Sequence, residues 1–136
     1  MQLVYTSASL LLHLCPAQGL LRLGWQAGVS SAGFLQGLTA AVTLTHAQGV
    51  RHWLTLNHHV YPLAPAEQLC LQEHALLPLH QSTLQRVAIV LPPRAFGGPG
   101  YDSLIADSRA LVSYQLEYFP GIVPARQWLQ GGGDGV

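Results

Sequence analysis

A strand, a helix and a second strand follow one another early in the chain, and this order constrains the fold more than any other sequence feature. Apolar and polar residues alternate over Leu20–Trp25, which is typical of a strand with one buried face. Ser30 or Ser31 can cap a helix that Gly49 ends, and Val50–Leu56 is again apolar. The inward positions of this helix are Phe34, Leu38, Ala41, Val42 and Thr45. A parallel pair of strands with a right-handed crossover is predicted.

Two further strands are predicted on either side of this unit. Ser9–Leu14 and Leu20–Trp25 are separated by turn residues, so together they predict a hairpin. Val87–Leu91 is an uninterrupted apolar run closed by Pro92 and Pro93, which is typical of a strand covered on both faces. We place this strand at the centre of the sheet.

A second helix is predicted from Ala64, because proline is permitted in a first turn, as at position 65. The helix cannot continue past Pro78. Its inward-facing residues are predicted to be Leu69, Leu76 and Leu77.

The last third of the chain adds smaller elements. A glycine-rich loop over 95–100 precedes a predicted helix at Tyr101–Leu111, a last strand at Val112–Tyr118 and a closing helix at Val123–Leu129. The tail Gly131–Val136 is predicted to be disordered. The fold prediction is one α/β domain over 1–130. It has a mixed sheet of four or five strands, an N-terminal hairpin followed by parallel βαβ units, and about four helices.

Charge is scarce in this chain. Charged residues make up 9% of it, against about 25% in typical proteins, and the formal net charge is zero. The six basic residues are arginines scattered singly and balanced by six acids, so nucleic acid is not an expected partner. Because such a surface has little self-repulsion, a homodimer is expected.

The cysteines and the N-terminal region indicate a compartment. Cys15 and Cys70 are too few and too far apart for a disulfide framework or a thiolate metal site, and both are expected to be buried free thiols. The apolar run Leu10–Leu14 has no basic residue before it, so it does not resemble a signal peptide. It is also far shorter than the ~20 residues that span a bilayer. A cytoplasmic protein without a transmembrane segment is expected.

Several short motifs occur in an order that resembles a known family. They are Trp25 and Gly28, Trp53 and Leu54, Pro65, Glu67 and Gln68, Pro78, the run Arg86–Val90, and finally Tyr118, Phe119, Ala125, Trp128 and Leu129. Together they resemble the bacterial STAS/SEC14-like (SpoIIAA-like) domain family over about residues 9–129. The resemblance implies a sheet with helices packed against it and an interaction or ligand-binding role, and it does not imply an enzyme.

The chain departs from that family at two places. Such proteins usually have an acidic residue just after the strand that here ends at Leu56 and Asn57, where His58 and His59 follow. Anti-sigma-factor antagonists of this kind carry a phosphorylatable serine where this chain has 63–66, Leu-Ala-Pro-Ala. A serine phosphorylation switch is therefore not expected.

Seven histidines raise the question of a metal or catalytic site. A zinc site needs converging ligands, often at i and i+4 on a helix, and no such histidine pair or HExxH motif occurs. Cys70 and His74 lie one helical turn apart, but neither a separate base nor oxyanion donors can be located for a nucleophilic cysteine. No metal, cofactor or catalytic residue is predicted.

The speculative ligand-binding residues follow the ends of two predicted strands. Asn57, His58 and His59 stand where a parallel strand ends, the edge of an open α/β sheet at which ligands most often bind. Arg94 precedes three glycines and a predicted helix, an arrangement that could bind an anion. The alternative for both is an ordinary polar loop.

The aromatic residues also allow two interpretations. Trp25, Trp53 and Trp128, with Phe34 and Phe119, are core or interface residues in the simpler one, and could line a cavity for an apolar ligand in the other.

Three functional hypotheses remain. The first is a non-enzymatic intracellular module that acts through protein contacts, as a homodimer or with another protein. The second is a small carrier or sensor that binds an apolar or anionic molecule near Asn57–His59. The third, a metal-dependent or cysteine hydrolase, requires at least three histidines to converge.

Overall fold

A computed structural model of the chain describes residues 1–26, 28–56, 69–92 and 112–132. Within these residues, six strands form one sheet in chain order. Their bounds are β1 Gln2–Thr6, β2 Leu10–Cys15, β3 Leu20–Trp25, β4 His52–Leu56, β5 Arg86–Val90 and β6 Gln115–Phe119. β1, β2 and β3 pair antiparallel, and β3 to β6 pair in parallel. The predicted α/β class, the hairpin and the parallel units after it are confirmed.

The β2–β3 hairpin closes through a short 3₁₀ turn at Pro16–Gln18. Gly19 follows with φ 62°, a left-handed conformation that glycine adopts without steric cost. Its carbonyl accepts hydrogen bonds from the amides of Arg51 and His52 at 2.9 and 3.0 Å. The turn thereby fixes the start of β4 beside the start of β3.

Helix α1, Ser31–Gln48, begins and ends where its capping residues predict. The Ser30 hydroxyl accepts a hydrogen bond from the amide of Gly33 at 3.0 Å, and Gly49 ends the helix with φ 61°. Gly37 lies against Leu10 and Trp25, and a Cβ there would come within 2.9 Å of both side chains. The helix therefore approaches the sheet closely.

The segment after the undescribed residues 57–68 differs from the prediction in which residues face inward. Residues 69–71 are helical and are followed by a π-helical turn at Gln72–Leu76 and a 3₁₀ turn at Pro78–Gln81. Ala75 and Leu79 are buried, whereas Leu69 and Leu77 are exposed. The buried positions are four residues apart across the π turn, so the inward face excludes Leu69 and Leu77. The prediction for the Leu76 side chain falls outside the described residues.

The sheet has a different covering on each face. The α1 face carries one large apolar core, which includes Leu12, Leu21, Leu23, Trp25 and Trp53. The α2 face is covered over β4–β6 by helix α2, Ile122–Gln127, and the π-helical turn Trp128–Gly132. Its smaller core consists of Leu20, Leu54, Ala88, Val90, Ala125 and Leu129.

Two sheet predictions need correction. Every residue of β5 is buried, as expected of a strand covered on both faces, but β5 is fifth of six strands and not central. Six strands also exceed the four or five predicted, because β1 was missed. β1 pairs with β2 through a register shift between Leu3 and Tyr5, and most of its residues are exposed. Such a strand has no alternating burial pattern that could have revealed it.

Candidate functional site

The residues that the sequence singled out for ligand binding, Asn57, His58, His59 and Arg94, lie outside the described residues. So do the predicted glycine-rich loop and the helix at Tyr101–Leu111. What the structure describes is the opposite end of the parallel strands, where β3, β4, β5 and β6 begin. We call this region the amino-end pocket.

The amino-end pocket has a volume of about 440 Å³ and lies between the sheet and the C-terminal π-helical turn. Its wall mixes polar and aliphatic groups, and none of the described residues that line it is acidic. These lining residues are Gln18, Leu20, His52, Gln85, Arg86, Arg126, Leu129, Gln130 and Gly131.

Strand register creates the floor of this pocket. Leu20 pairs with His52, His52 with Arg86, and Arg86 with Gln115, so the first residues of four adjacent strands form one row. Residues that pair directly across a sheet share a face, and here that face is the one covered by α2. Neighbouring members of the row are separated by about 4.8 Å, the spacing between strands. Polar groups from distant parts of the sequence are thereby placed side by side.

Arg86 is the most constrained charged residue of the row. Its side chain is only 8% exposed. The Nε group donates to Oε1 of Gln115 at 2.9 Å, and Nη1 donates to the backbone carbonyl of Trp128 at 2.5 Å. The guanidinium also lies 5.3 Å from the centre of the Trp128 ring, within cation–π range. Arg86 thus fastens the C-terminal turn to the sheet and keeps a positive charge at the pocket wall.

His52 lies next to Arg86, and its surroundings change its pKa. Burial is the largest influence on this imidazole and lowers its pKa, and the charges of Arg51 and Arg86 lower it further. A lowered pKa means that the neutral ring is favoured at neutral pH. His52 can therefore both donate and accept a hydrogen bond in the pocket.

Positive charge is concentrated at this end of the described structure. Arg51 precedes β4, Arg86 begins β5, and Arg126 lies near the end of α2 with an exposed side chain. The described residues contain four of the six arginines but only Glu73 and Glu117 of the six acids. Glu117 lies on the α2 face, where it pairs with Ala88 further along the strands.

The other candidate groups are separated from one another. Among residues 1–26, 28–56, 69–92 and 112–132, no three His, Cys, Asp or Glu side chains come together as a metal site would require. Cys15 and Cys70 are not joined in a disulfide, and both are half-buried, less buried than expected. His74, one turn after Cys70, is exposed.

The aromatic residues do not form a single cavity. Trp25 and Phe34 pack at 4.9 Å on the α1 face, where Trp53 donates its indole N–H to the Thr45 hydroxyl at 2.8 Å. Phe119 and Trp128 pack at 5.6 Å on the α2 face. The sheet separates the two groups, so the hypothesis of one aromatic-lined cavity is wrong.

Comparison with known proteins gives no identification: no protein family, curated protein or solved structure matches this chain. No helix in the described part of the chain is long and apolar enough to cross a membrane.

Sequence reasoning missed the amino-end pocket, although a signal for it exists. Arg51 and His52 directly precede the apolar part of β4, and Gln85 and Arg86 directly precede that of β5. Because parallel strands begin at the same edge of a sheet, polar residues at two strand starts must lie near each other. The predicted ligand-binding residues all follow strand ends instead.

Proposed function

We propose that this protein is a non-enzymatic binding module whose ligand is a small anionic molecule, held in the amino-end pocket. The observation that carries the proposal is the row of strand starts, which places His52 and Arg86 in a pocket also lined by Arg126. An apolar or anionic ligand is the alternative that the sequence suggests, but near Asn57–His59, at the other end of the strands. The resemblance to STAS/SEC14-like domains and a cytoplasmic location remain predictions.

Pocket size and lining indicate the class of ligand. Small-molecule sites typically measure about 300–1,000 Å³, so a volume of about 440 Å³ suits a compact ligand. Leu20 and Leu129 supply apolar surface, while the glutamines supply amide donors. A carboxylate or phosphate joined to a short apolar body matches this mixture.

The two arginines have different roles in this proposal. Arg86 is already bonded to Gln115 and Trp128, so it shapes the wall and provides the electrostatic field. Arg126 is exposed and stands on one turn of α2, so its guanidinium is the group that makes the main contact with the anion. Charge-assisted hydrogen bonds from a guanidinium to such oxygens are among the strongest available.

The test combines native mass spectrometry of gently purified protein with titrations followed by NMR. Inorganic phosphate, citrate and hexanoate are the probes, since they differ in charge and apolar length. We expect at least one to bind with a Kd of about 1 mM or tighter and to shift the amides of Gln85 and Gln130. Arg126→Gln should weaken that binding about tenfold, the loss of one charged contact.

Arg22→Gln is the matched control, because it removes the same charge from the α2 face at β3, away from the pocket lining. Equal weakening by both variants would mean that only net charge matters. That result, or the absence of amide shifts at the pocket with every probe, would refute the proposal.

A protein-interaction role is the second candidate, and the exposed strand β1 favours it. Edge strands present unpaired backbone groups to which another strand can bind.

A further inference from the structure

Strand β1 forms one edge of the described sheet and lacks two of the usual protections of such edges, charged residues and proline. Monomeric proteins place charged residues or proline on an edge strand to prevent pairing with another chain. Residues Gln2–Thr6 include neither, and no Asp, Glu, Lys or Arg precedes Arg22 in the chain. Strand β1 therefore presents an uncharged edge.

Two side chains of this edge are apolar and accessible. Leu3 is 55% exposed and Val4 is 36% exposed. Backbone N–H and C=O groups on the outer side of an edge strand are also free to pair with a neighbouring strand. β1 thus offers main-chain hydrogen bonds together with apolar contacts.

We infer that β1 pairs antiparallel with β1 of a second copy of this chain, so that the two sheets join across a twofold axis. Centred on Val4, this pairing sets Gln2 opposite Thr6 and Leu3 opposite Tyr5, and brings no like charges together within the strand. A neutral chain with formal net charge zero also has no long-range repulsion to overcome.

Twofold pairing through β1 is favoured over a head-to-tail contact between β1 and β6. β6 contains Glu117, a charged residue of the kind that discourages strand addition. A head-to-tail contact would also build open-ended filaments, whereas β1 paired with itself closes at two copies.

The size of β1 and its register shift set the strength of this contact. Five residues in a strand span only about 17 Å. The surface area that this edge buries should therefore be smaller than the ~800 Å² per partner of a standard interface. The shift between Leu3 and Tyr5 increases the local twist and limits the pairing to a short stretch. We therefore expect a reversible dimer with a Kd in the micromolar range and not an obligate one.

Sedimentation velocity of the full chain from about 1 to 300 μM tests this inference, covering the micromolar range expected of a small interface. The wild-type protein should change from monomer to dimer, and Val4→Lys should raise the dimer Kd at least tenfold. Val123→Lys is the matched control, since Val123 is 67% exposed on α2. Circular dichroism establishes that both variants are folded.

Amide hydrogen exchange at low and high protein concentration locates the contact independently of any variant. Protection at residues 2–6 should increase with concentration. A wild-type protein that stays monomeric at the highest concentration overturns the inference, and β1 would then be available to a strand of another protein. A dimer that is unchanged by Val4→Lys, with no added protection at residues 2–6, overturns it as well.

The variants distinguish a failure of the anion-binding proposal from a failure of this inference. Arg126→Gln should leave the dimer Kd unchanged, and Val4→Lys should leave anion binding unchanged, because the two substitutions lie on different elements.

Discussion

The two faces of the sheet are built on different principles. On the α1 face, leucines and aromatic residues pack under a long, well-capped helix, and Thr45 supplies the hydroxyl that satisfies the Trp53 indole. On the α2 face, a short helix covers half of the sheet. The buried Arg86 is bonded to Trp128 in the π-helical turn that follows this helix. Burying a charge costs free energy unless it is bonded on several sides. The α1 face therefore provides stability, and the α2 face is where a functional site is expected.

Two neighbouring leucines of β2 test this contrast most directly. Leu12 is fully buried on the α1 face, whereas Leu11 is half-buried on the open part of the α2 face. Leu12→Ala should lower the free energy of unfolding by about 3 kcal/mol, through lost burial and the cavity left behind. Leu11→Ala should cost less than about 1 kcal/mol. Urea denaturation measures the free energy of unfolding of both variants. Equal losses would contradict the difference between the two faces.

Replacing the buried arginine should have the next largest effect. Arg86→Met keeps a long side chain but leaves the Trp128 carbonyl and the Gln115 amide without their donor. An unsatisfied polar group that is fully buried costs about 1–3 kcal/mol, but both of these hydrogen bonds are only partly buried. The apolar replacement also offsets part of the loss, so we expect a net loss of about 1 kcal/mol.

Arg126→Gln serves as the control for that substitution, since Arg126 is exposed, and it should change stability by less than about 0.5 kcal/mol. Limited proteolysis should also cut Arg86→Met earlier than wild type within 122–132. A variant as stable as wild type, with an unchanged cleavage rate, would mean that Arg86 does not fasten the C-terminal turn.

The smallest expected effect is a pH dependence from His52. Burial and two neighbouring arginines lower its pKa below the ordinary value of 6.5, so the unfolded chain takes up a proton at a higher pH than the folded one. Stability from this group is therefore present above pH 6.5 and is lost as the pH falls through the folded pKa. His52→Gln should reduce the loss of stability between pH 7.5 and pH 5.5, as measured by denaturation at each pH.

His13, whose pKa is also lowered, contributes to the same trend, so the slope should decrease and not vanish. His46→Gln, at an exposed position near the end of α1, is the control. An unchanged slope in His52→Gln would show that the amino-end pocket does not disfavour the charged ring.

Local patterns account for what could be predicted from the sequence. The caps Ser30 and Gly49, the alternation over Leu20–Trp25 and the proline at position 78 each act through neighbouring backbone groups, so each is visible in a short window. The exposed Leu69 and Leu77 show the limit of such windows. A π-helical turn shifts the inward face, and nothing in a period of 3.6 residues anticipates it.

The candidate site shows the same limit more strongly. His52 and Arg86 are 34 positions apart in the sequence, yet strand register makes them direct neighbours. Sequence alone determined the α/β class, the hairpin, the first helix and the parallel order, because capping, periodicity and crossover handedness are local or general rules. Only the tertiary structure decided that β1 adds an uncharged edge and that Leu20, His52, Arg86 and Gln115 form one row. The physical reason is that pairing between distant strands depends on the packing of the whole sheet.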